Sequence, residues 1–264
     1  MTETKLLYFE APDGISGDMT LGALIDLGAD PEAIRHELDT FVPGEYSFEA
    51  CPFERNGIHG INLEVVAAGS HTHSASEKDS HMHRHYSDIK KMIVESGLSD
   101  RAKNYALSIF GVIAEAEARV HGVDVADVAF HEVGALDSII DIVGTAIAVD
   151  MLGADEFYCA APHDGSGTIV CRHGRIPVPV PAVMEMARDA GIPIVIESDV
   201  DTEMITPTGF GIIKGLGAKF APRLAFIPEK TGYGFGKRDT GRLGAVRVTL
   251  GKKYEEDQGQ TGKG

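Results

Sequence analysis

The pair Asn56-Gly57 does more than any other feature to restrict how this chain folds. It separates two runs, residues 46–53 and 58–67, in which apolar and polar side chains alternate. A strand points successive side chains to opposite faces, and Asn-Gly accepts the positive φ angles of a tight turn, so the two runs read as an antiparallel hairpin. A second pattern limits the choice further. The apolar run KLLYF, residues 5–9, empties into the glycine-rich turn EAPDGISGDM, residues 10–19, and then into a helix over residues 20–27. Strand, glycine turn and helix in that order place a ligand site at a strand's carboxyl end. The glycine spacing is neither G-x-G-x-x-G nor that of a P-loop, so it carries no dinucleotide or Walker fingerprint. Together the two patterns predict an α/β or α+β fold with mixed β-sheets and several packed helices.

Helix signals recur along the chain. Asp30 caps a helix at 31–41 that has proline in first position, Ser87 and Asp88 open one running to about 96, and Ser99 and Asp100 open one that ends at His121-Gly122. A further helix spans 182–190, the apolar, β-branched run 192–197 reads as a buried strand, and 243–250 reads as a final strand. At 264 residues the chain suits one large body or two lobes meeting near residue 155. In the second case 1–155 is an N-terminal lobe, 156–251 a basic C-terminal lobe and 252–264 a flexible tail.

The formal net charge of −16 disfavours nucleic acid or an anionic membrane as main partner, because phosphate surfaces demand an excess of Lys and Arg. The charge is unevenly placed. Residues 214–253 hold ten Lys or Arg against two acids. Three cysteines, Cys51, Cys159 and Cys171, form no CxxC pair and no disulfide framework, and no run approaches the ~20 apolar residues of a membrane span. A cytoplasmic protein is the expectation.

Chemistry-bearing residues concentrate in three places. Residues 130–144, FHEVGALDSIIDIVG, set His131 beside Glu132 and then carry Asp137 and Asp141 one helical turn apart on an apolar helix. A divalent cation or a proton-transfer step suits that set, and two solvated aspartates on an ordinary helix are the plainer account. His71, His73, His81, His83 and His85 crowd five imidazoles into 15 residues, a donor set for nickel, copper, cobalt or zinc. In the basic half, Arg172, His173 and Arg175 stand in a glycine-rich stretch. Thr206 and Thr208 flank Pro207 at a helix start, and Lys237 and Arg238 follow three glycines in GYGFGKRD, residues 232–239. Guanidinium groups and helix N-termini both favour carboxylate or phosphate.

Read in order, GISGDM (14–19), HRHYSDI (83–89), AEAEARVHG (114–122), FHEVGALDSIIDIVG (130–144), HGRIPVPVPA (173–182), TPTG (206–209) and GYGFGKRD (232–239) resemble the LarC family, nickel-insertion proteins of nickel-pincer cofactor biosynthesis. The resemblance implies a lyase-class nickel chelatase, or cyclometallase. It would insert nickel into pyridinium-3,5-bisthiocarboxylic acid mononucleotide at the expense of CTP, with Mn²⁺ or Mg²⁺, and form a carbon–nickel bond. The implied partners are the mononucleotide, nickel, a lactate racemase-type apoenzyme that receives the cofactor, and further copies of the chain in a homo-oligomer. His71, His73, His81, His83 and His85 match the family's histidine-rich loop and would collect nickel, with His131, Asp137 and Asp141 as an inner site. Removing the ring proton needs a base, His131 or Glu132. Arg172, His173, Arg175, Thr206, Thr208, Lys237 and Arg238 are the candidates to hold the substrate. Family members usually continue into a C-terminal domain associated with CTP, which is absent from this sequence, so the chain is expected to need that domain as a partner.

Two other functions fit parts of the sequence. A non-catalytic nickel store or metallochaperone would need the histidine cluster but not the glycine- and arginine-rich segments. A metal-dependent phosphohydrolase would use Asp13, Asp18, Asp137 and Asp141.

Overall fold

The structure, a computed structural model, describes residues 4–44, 46–67, 84–130, 133 and 135–254. In chain order the elements are β1 (Lys5–Glu10), α1 (Gly17–Leu27), α2 (Pro31–Phe41), the hairpin β2 (Tyr46–Arg55) and β3 (Ile58–Ala67), β4 (Arg84–His85), α3 (Tyr86–Glu95) and α4 (Asp100–His121). There follow β5 (Ala129–Phe130), α5 (Leu136–Leu152), β6 (Glu156–Cys159), β7 (His163–Asp164), the hairpin β8 (Thr168–Cys171) and β9 (Gly174–Pro177), and α6 (Pro181–Ala190). The chain then runs through β10 (Val195–Ile196), α7 (Pro207–Gly215), β11 (Lys219–Phe220), β12 (Phe226–Phe235) and β13 (Ala245–Lys253).

The Asn56-Gly57 turn forms as the pattern requires: Asn56 takes φ 55° and Gly57 φ 78°, and Arg55 pairs with Ile58 across it. That hairpin is the outer part of a seven-stranded mixed sheet ordered β11-β6-β1-β13-β12-β3-β2. β1 runs parallel to β6 and antiparallel to β13, while β12 runs antiparallel to β13 and parallel to β3. The expected α/β class with a large mixed sheet is what the chain adopts, and strands from both halves of the sequence are interleaved in it.

Alternation along β1 sorts the two faces. Leu7 and Phe9 enter the main core with the helices, whereas Leu6 joins Tyr158 and Ala221 in a small cluster on the other face. On the helical side α1 lies against β12, β3 and β13, α5 packs on α1, and α4 packs on α5, α6 and α7. The glycines of GYGFG serve this packing. A Cβ on Gly232 would overlap the carbonyl oxygen of Ala23, and one on Gly234 that of Met19, so the backbone they bring close belongs to α1. Helix ends follow the sequence signals: Asp30, Ser99 and Thr206 cap α2, α4 and α7, and Gly122 closes α4 in the left-handed region. Helix α1 begins earlier than the apolar pattern indicated, because Ser16 caps it and Gly17 is its first residue.

Residues 192–197 do not form the buried strand expected of them. Only Val195 and Ile196 are in a strand, paired with His163 and Asp164 outside the main sheet, and Ile196 is 50% exposed. Gly191 and Pro193, at the start of the run, break it. The basic segment is likewise less open than its composition implied. Arg247 pairs with Glu10, Lys253 with Glu156, and Arg242 with Glu197 and Asp199, all acids of the acidic body, while Lys252 pairs with Glu229 of the basic segment itself. Among the described residues no helix is long and apolar enough to cross a membrane.

Candidate functional site

Three loops and one helix end meet beside the carboxyl end of β1. The loop after β1 is stitched to the segment before α7: Ile15 N–H donates to the Met204 carbonyl at 2.9 Å, and Thr206 N–H donates back to the Ile15 carbonyl at 2.9 Å. Asp164 pins the same segment from beneath. It is fully buried, and its Oδ1 accepts from the backbone N–H groups of Gly165 (2.8 Å), Met204 (2.7 Å) and Ile205 (3.1 Å). The third loop, between β12 and β13, is tied in by Gly244 N–H donating to Asp13 Oδ2 at 3.1 Å. Backbone order in all three is thus fixed by hydrogen bonds that cross the chain.

They enclose a cavity of about 220 Å³ whose polar wall includes Asp13, Asp18, Glu203, Thr206, Lys237 and Arg238. The charges alternate. Lys237 Nζ lies 3.8 Å from Asp18 Oδ2, and Arg238 donates to the Glu203 carbonyl at 2.5 Å and to its carboxylate at 3.3 Å. Ser16 donates to Asp18 Oδ1, which also accepts from Met19 N–H at 2.9 Å.

Asp141 lies against this wall from α5. It is 9% exposed, and its Oδ1 is buried with no hydrogen-bond partner. Burial, with the charges of Asp18 and Asp137 next in weight, pushes its carboxyl well above the ordinary range; Lys237 and the Asp18 backbone N–H pull the other way. Gly17 makes room for it. A Cβ there would stand 2.7 Å from Asp141 Cβ and 2.8 Å from its Oδ2. The plainer account of two solvated aspartates therefore fails at Asp141, although Asp137 is exposed, with Oδ1 accepting from Ser138 N–H at 2.9 Å. Burial also raises the Asp164 carboxyl, against the three N–H groups that favour its charged form.

The other predicted residues divide. His71, His73, His81, His83, His131 and Glu132 lie outside the described residues. His85 is exposed at the start of α3, where its N–H donates to Asp88 Oδ2 at 3.3 Å. Thr206 serves as the cap of α7, accepting from Gly209 N–H at 3.1 Å and sharing a 2.8 Å hydrogen bond with Thr208. Lys237, Arg238 and Thr206 line the cavity just described, whereas Arg172 and Arg175 sit on the exposed β8–β9 hairpin, Arg175 donating to Thr168 Oγ1 at 3.0 Å. His173 lines a second cavity of about 260 Å³, together with Phe130, Val133, Glu117, His121, Cys171 and Glu203. Glu203 borders both cavities. Among the described residues no three His, Cys, Asp or Glu side chains converge closely enough to hold a metal ion.

Sequence reasoning passed over Gly17, Asp164, Cys171 and His121. The signal for Gly17 was present in GISGDM, where a helix starting at a glycine rather than at a better helix former marks a close neighbour. Nothing local marks Asp164, two of whose three partners are some 40 residues away.

Comparison with known proteins decides the family. The model of the nickel insertion protein family matches residues 7–263. The chain belongs to that family. Among curated relatives, the pyridinium-3,5-bisthiocarboxylic acid mononucleotide nickel insertion protein of Acetivibrio thermocellus is 45% identical over 254 residues, covering 96% of this chain and 62% of the relative. Its namesake in Lactiplantibacillus plantarum is 44% identical over 265 residues, 96% of this chain and 63% of the relative. A Staphylococcus epidermidis protein of that name is 41% identical over 245 residues, 93% and 59%. This nickel insertion family member thus spans about three-fifths of the length of the relatives it matches. No solved structure matches it.

Proposed function

We propose that this chain carries the nickel and mononucleotide sites of an enzyme that inserts nickel into pyridinium-3,5-bisthiocarboxylic acid mononucleotide. The observation that carries the proposal is Asp141: a buried carboxylate with an unpartnered oxygen, facing Asp18 and Asp137 at the wall of a cavity that also holds Lys237 and Arg238. A buried carboxylate oxygen without a partner is costly and persists where a ligand completes it. A divalent cation does so, and it relieves the repulsion among the three aspartates.

Nickel is the cargo. The histidines at 71, 73, 81, 83 and 85 collect it, and His131, Asp137 and Asp141 receive it. Lys237 and Arg238, with the N-terminus of α7 at Thr206 and Thr208, take the mononucleotide phosphate and exchange their present partners Asp18 and Glu203 for it. His131 or Glu132 removes the ring proton. We assign the CTP requirement, with Mn²⁺ or Mg²⁺, to a C-terminal domain supplied by the rest of the relatives' length.

The test is insertion itself. The purified chain is mixed with the mononucleotide, Ni²⁺, Mg²⁺ or Mn²⁺ and CTP, with and without a separately made C-terminal domain, and the metallated product is sought by mass spectrometry. Product only with the added domain supports the reading in full. Product from the chain alone moves the CTP site here, and tight nickel binding with no product in either mixture favours a nickel carrier.

A further inference from the structure

The apolar cavity beneath the β8–β9 hairpin ends in a thiol and two imidazoles. Cys171 closes β8 and His173 stands in the turn, with Sγ 3.8 Å from Nδ1. His121, at the end of α4, lays its ring against His173 with centroids 4.9 Å apart, and Glu117 holds His121 Nε2 at 3.3 Å. A carboxylate behind an imidazole in this manner fixes ring orientation around metal ions. A sulfur and a nitrogen bound side by side to one first-row ion, with bonds of about 2.3 and 2.1 Å, stand roughly 3.1 Å apart at a right angle and roughly 3.6 Å apart at a tetrahedral one. Cys171 Sγ and His173 Nδ1, 3.8 Å apart, reach the tetrahedral spacing with a shift of about 0.2 Å and the square-planar one with a shift of about 0.7 Å.

We propose that Cys171 and His173 form a two-donor hand-over site for nickel, its other coordination positions left to the thiocarboxylate sulfurs of the incoming substrate. This rests on the nickel-insertion reading and adds to it a place where ion and ring meet. Thiolate and imidazole are the donor types that hold nickel beside sulfur ligands. Two protein donors leave the ion exchangeable, whereas a closed four-donor shell would retain it. The walls formed by Phe130, Val133, Ile169 and Ile176 accept a flat ring, and Glu203 joins this cavity to the one holding Lys237 and Arg238. A ring in one and a phosphate in the other suit a single molecule. On binding, the Cys171 S–H proton leaves to solvent and an S–Ni bond takes its place; no electron changes hands.

The experiment titrates the full chain with nickel chloride in a thiol-free reductant and follows the near-ultraviolet thiolate-to-nickel charge-transfer band. Histidine and carboxylate ligands give no such band, so nickel elsewhere does not obscure it. The expected result is one saturable band, lost in Cys171→Ser, weakened severalfold in His173→Ala and unchanged in Cys51→Ser. No band in the wild-type chain, or a band that survives Cys171→Ser, overturns the site. Insertion assays separate the two levels: a wild-type rate in a folded Cys171→Ser variant removes the hand-over role and leaves the nickel-insertion reading standing. A Cys171-dependent band with no product, even with the C-terminal domain added, keeps the site and removes that reading.

Discussion

Gly17→Ala tests whether Asp141 owes its position to a missing side chain. The added methyl carbon would stand 2.7 Å from Asp141 Cβ and 3.1 Å from its Cγ, where non-bonded carbons rest at about 3.5–4.0 Å. Relief takes a movement of close to 1 Å by α1, by α5 or by the carboxylate. Both helices are packed, α1 on the sheet and α5 on α1, so the change behaves as overpacking and costs about 1–3 kcal/mol. For a chain of this size each kcal/mol lowers Tm by about 2–4 °C, which gives a fall of roughly 4–8 °C at the middle of that range. Gly111→Ala is the control. Gly111 lies inside α4, where a Cβ meets only Tyr86 Oη at an ordinary 3.5 Å, and gains about 0.5–1 kcal/mol in helix propensity. Thermal melts and urea titrations of both variants, with and without nickel, give stability and the nickel-linked shift together. A Gly17→Ala protein as stable as wild type, with an undiminished nickel-linked shift, would refute the claim that the glycine seats the carboxylate.

Asp141→Asn should leave the folded chain intact and abolish most of its nickel-linked stabilisation, which for wild type is about 2.7 kcal/mol at a free ion concentration 100 times Kd. Histidines close together in sequence bind metal in the unfolded chain as well, so they add little to that shift, and a full shift in the variant would count against the aspartate site. Asp164→Ala strands three buried backbone N–H groups and should cost about 3–5 kcal/mol by urea titration, while Asp164→Asn keeps the accepting oxygen and costs far less. Because burial raises the folded-state pKa of Asp164, the native chain holds its proton more tightly than the unfolded one. Its contribution is therefore greatest below the unfolded value of about 3.9 and is lost as pH rises through the folded value. The stability of wild type relative to Asp164→Asn should fall over that window, and a difference that stays flat with pH would show the carboxyl to be unperturbed. Thr206→Ala should cost about 1 kcal/mol through loss of the α7 cap, with Thr206→Ser restoring most of it.

What was legible in the sequence is what short stretches decide. Asn56-Gly57 announced the hairpin, Asp30-Pro31 and Ser99-Asp100 announced their helices, and seven ordered motifs announced the family. The misreadings share a cause, which is a neighbour far away in the chain. Asp137 and Asp141 look equivalent one turn apart, but α1 covers the second and leaves the first in water, and the contact that does so joins residue 17 to residue 141. The glycines at 232 and 234 have no partner nearby in the sequence, and the space a side chain there would need is taken by a helix laid down some 210 residues earlier. The positive charges of residues 237–253 look available for phosphate, yet Arg242, Arg247 and Lys253 already answer carboxylates from distant segments. Lys237 and Arg238 also have acidic partners, but theirs lie on the cavity wall, where an incoming phosphate can compete for them.

The position of β13 bears on how the chain is made. It is the last strand in the sequence to join the sheet and lies in the sheet's interior, between β1 and β12. Before it emerges from the ribosome the nascent protein holds two separate three-stranded pieces, β11-β6-β1 and β12-β3-β2, each with an unpaired edge where β13 will dock. Some 250 residues must therefore be synthesised before the first strand acquires its second neighbour, a delay during which those open edges invite pairing with other nascent chains. A cell producing this protein rapidly should depend on chaperones that hold strand edges apart until residue 253 is free.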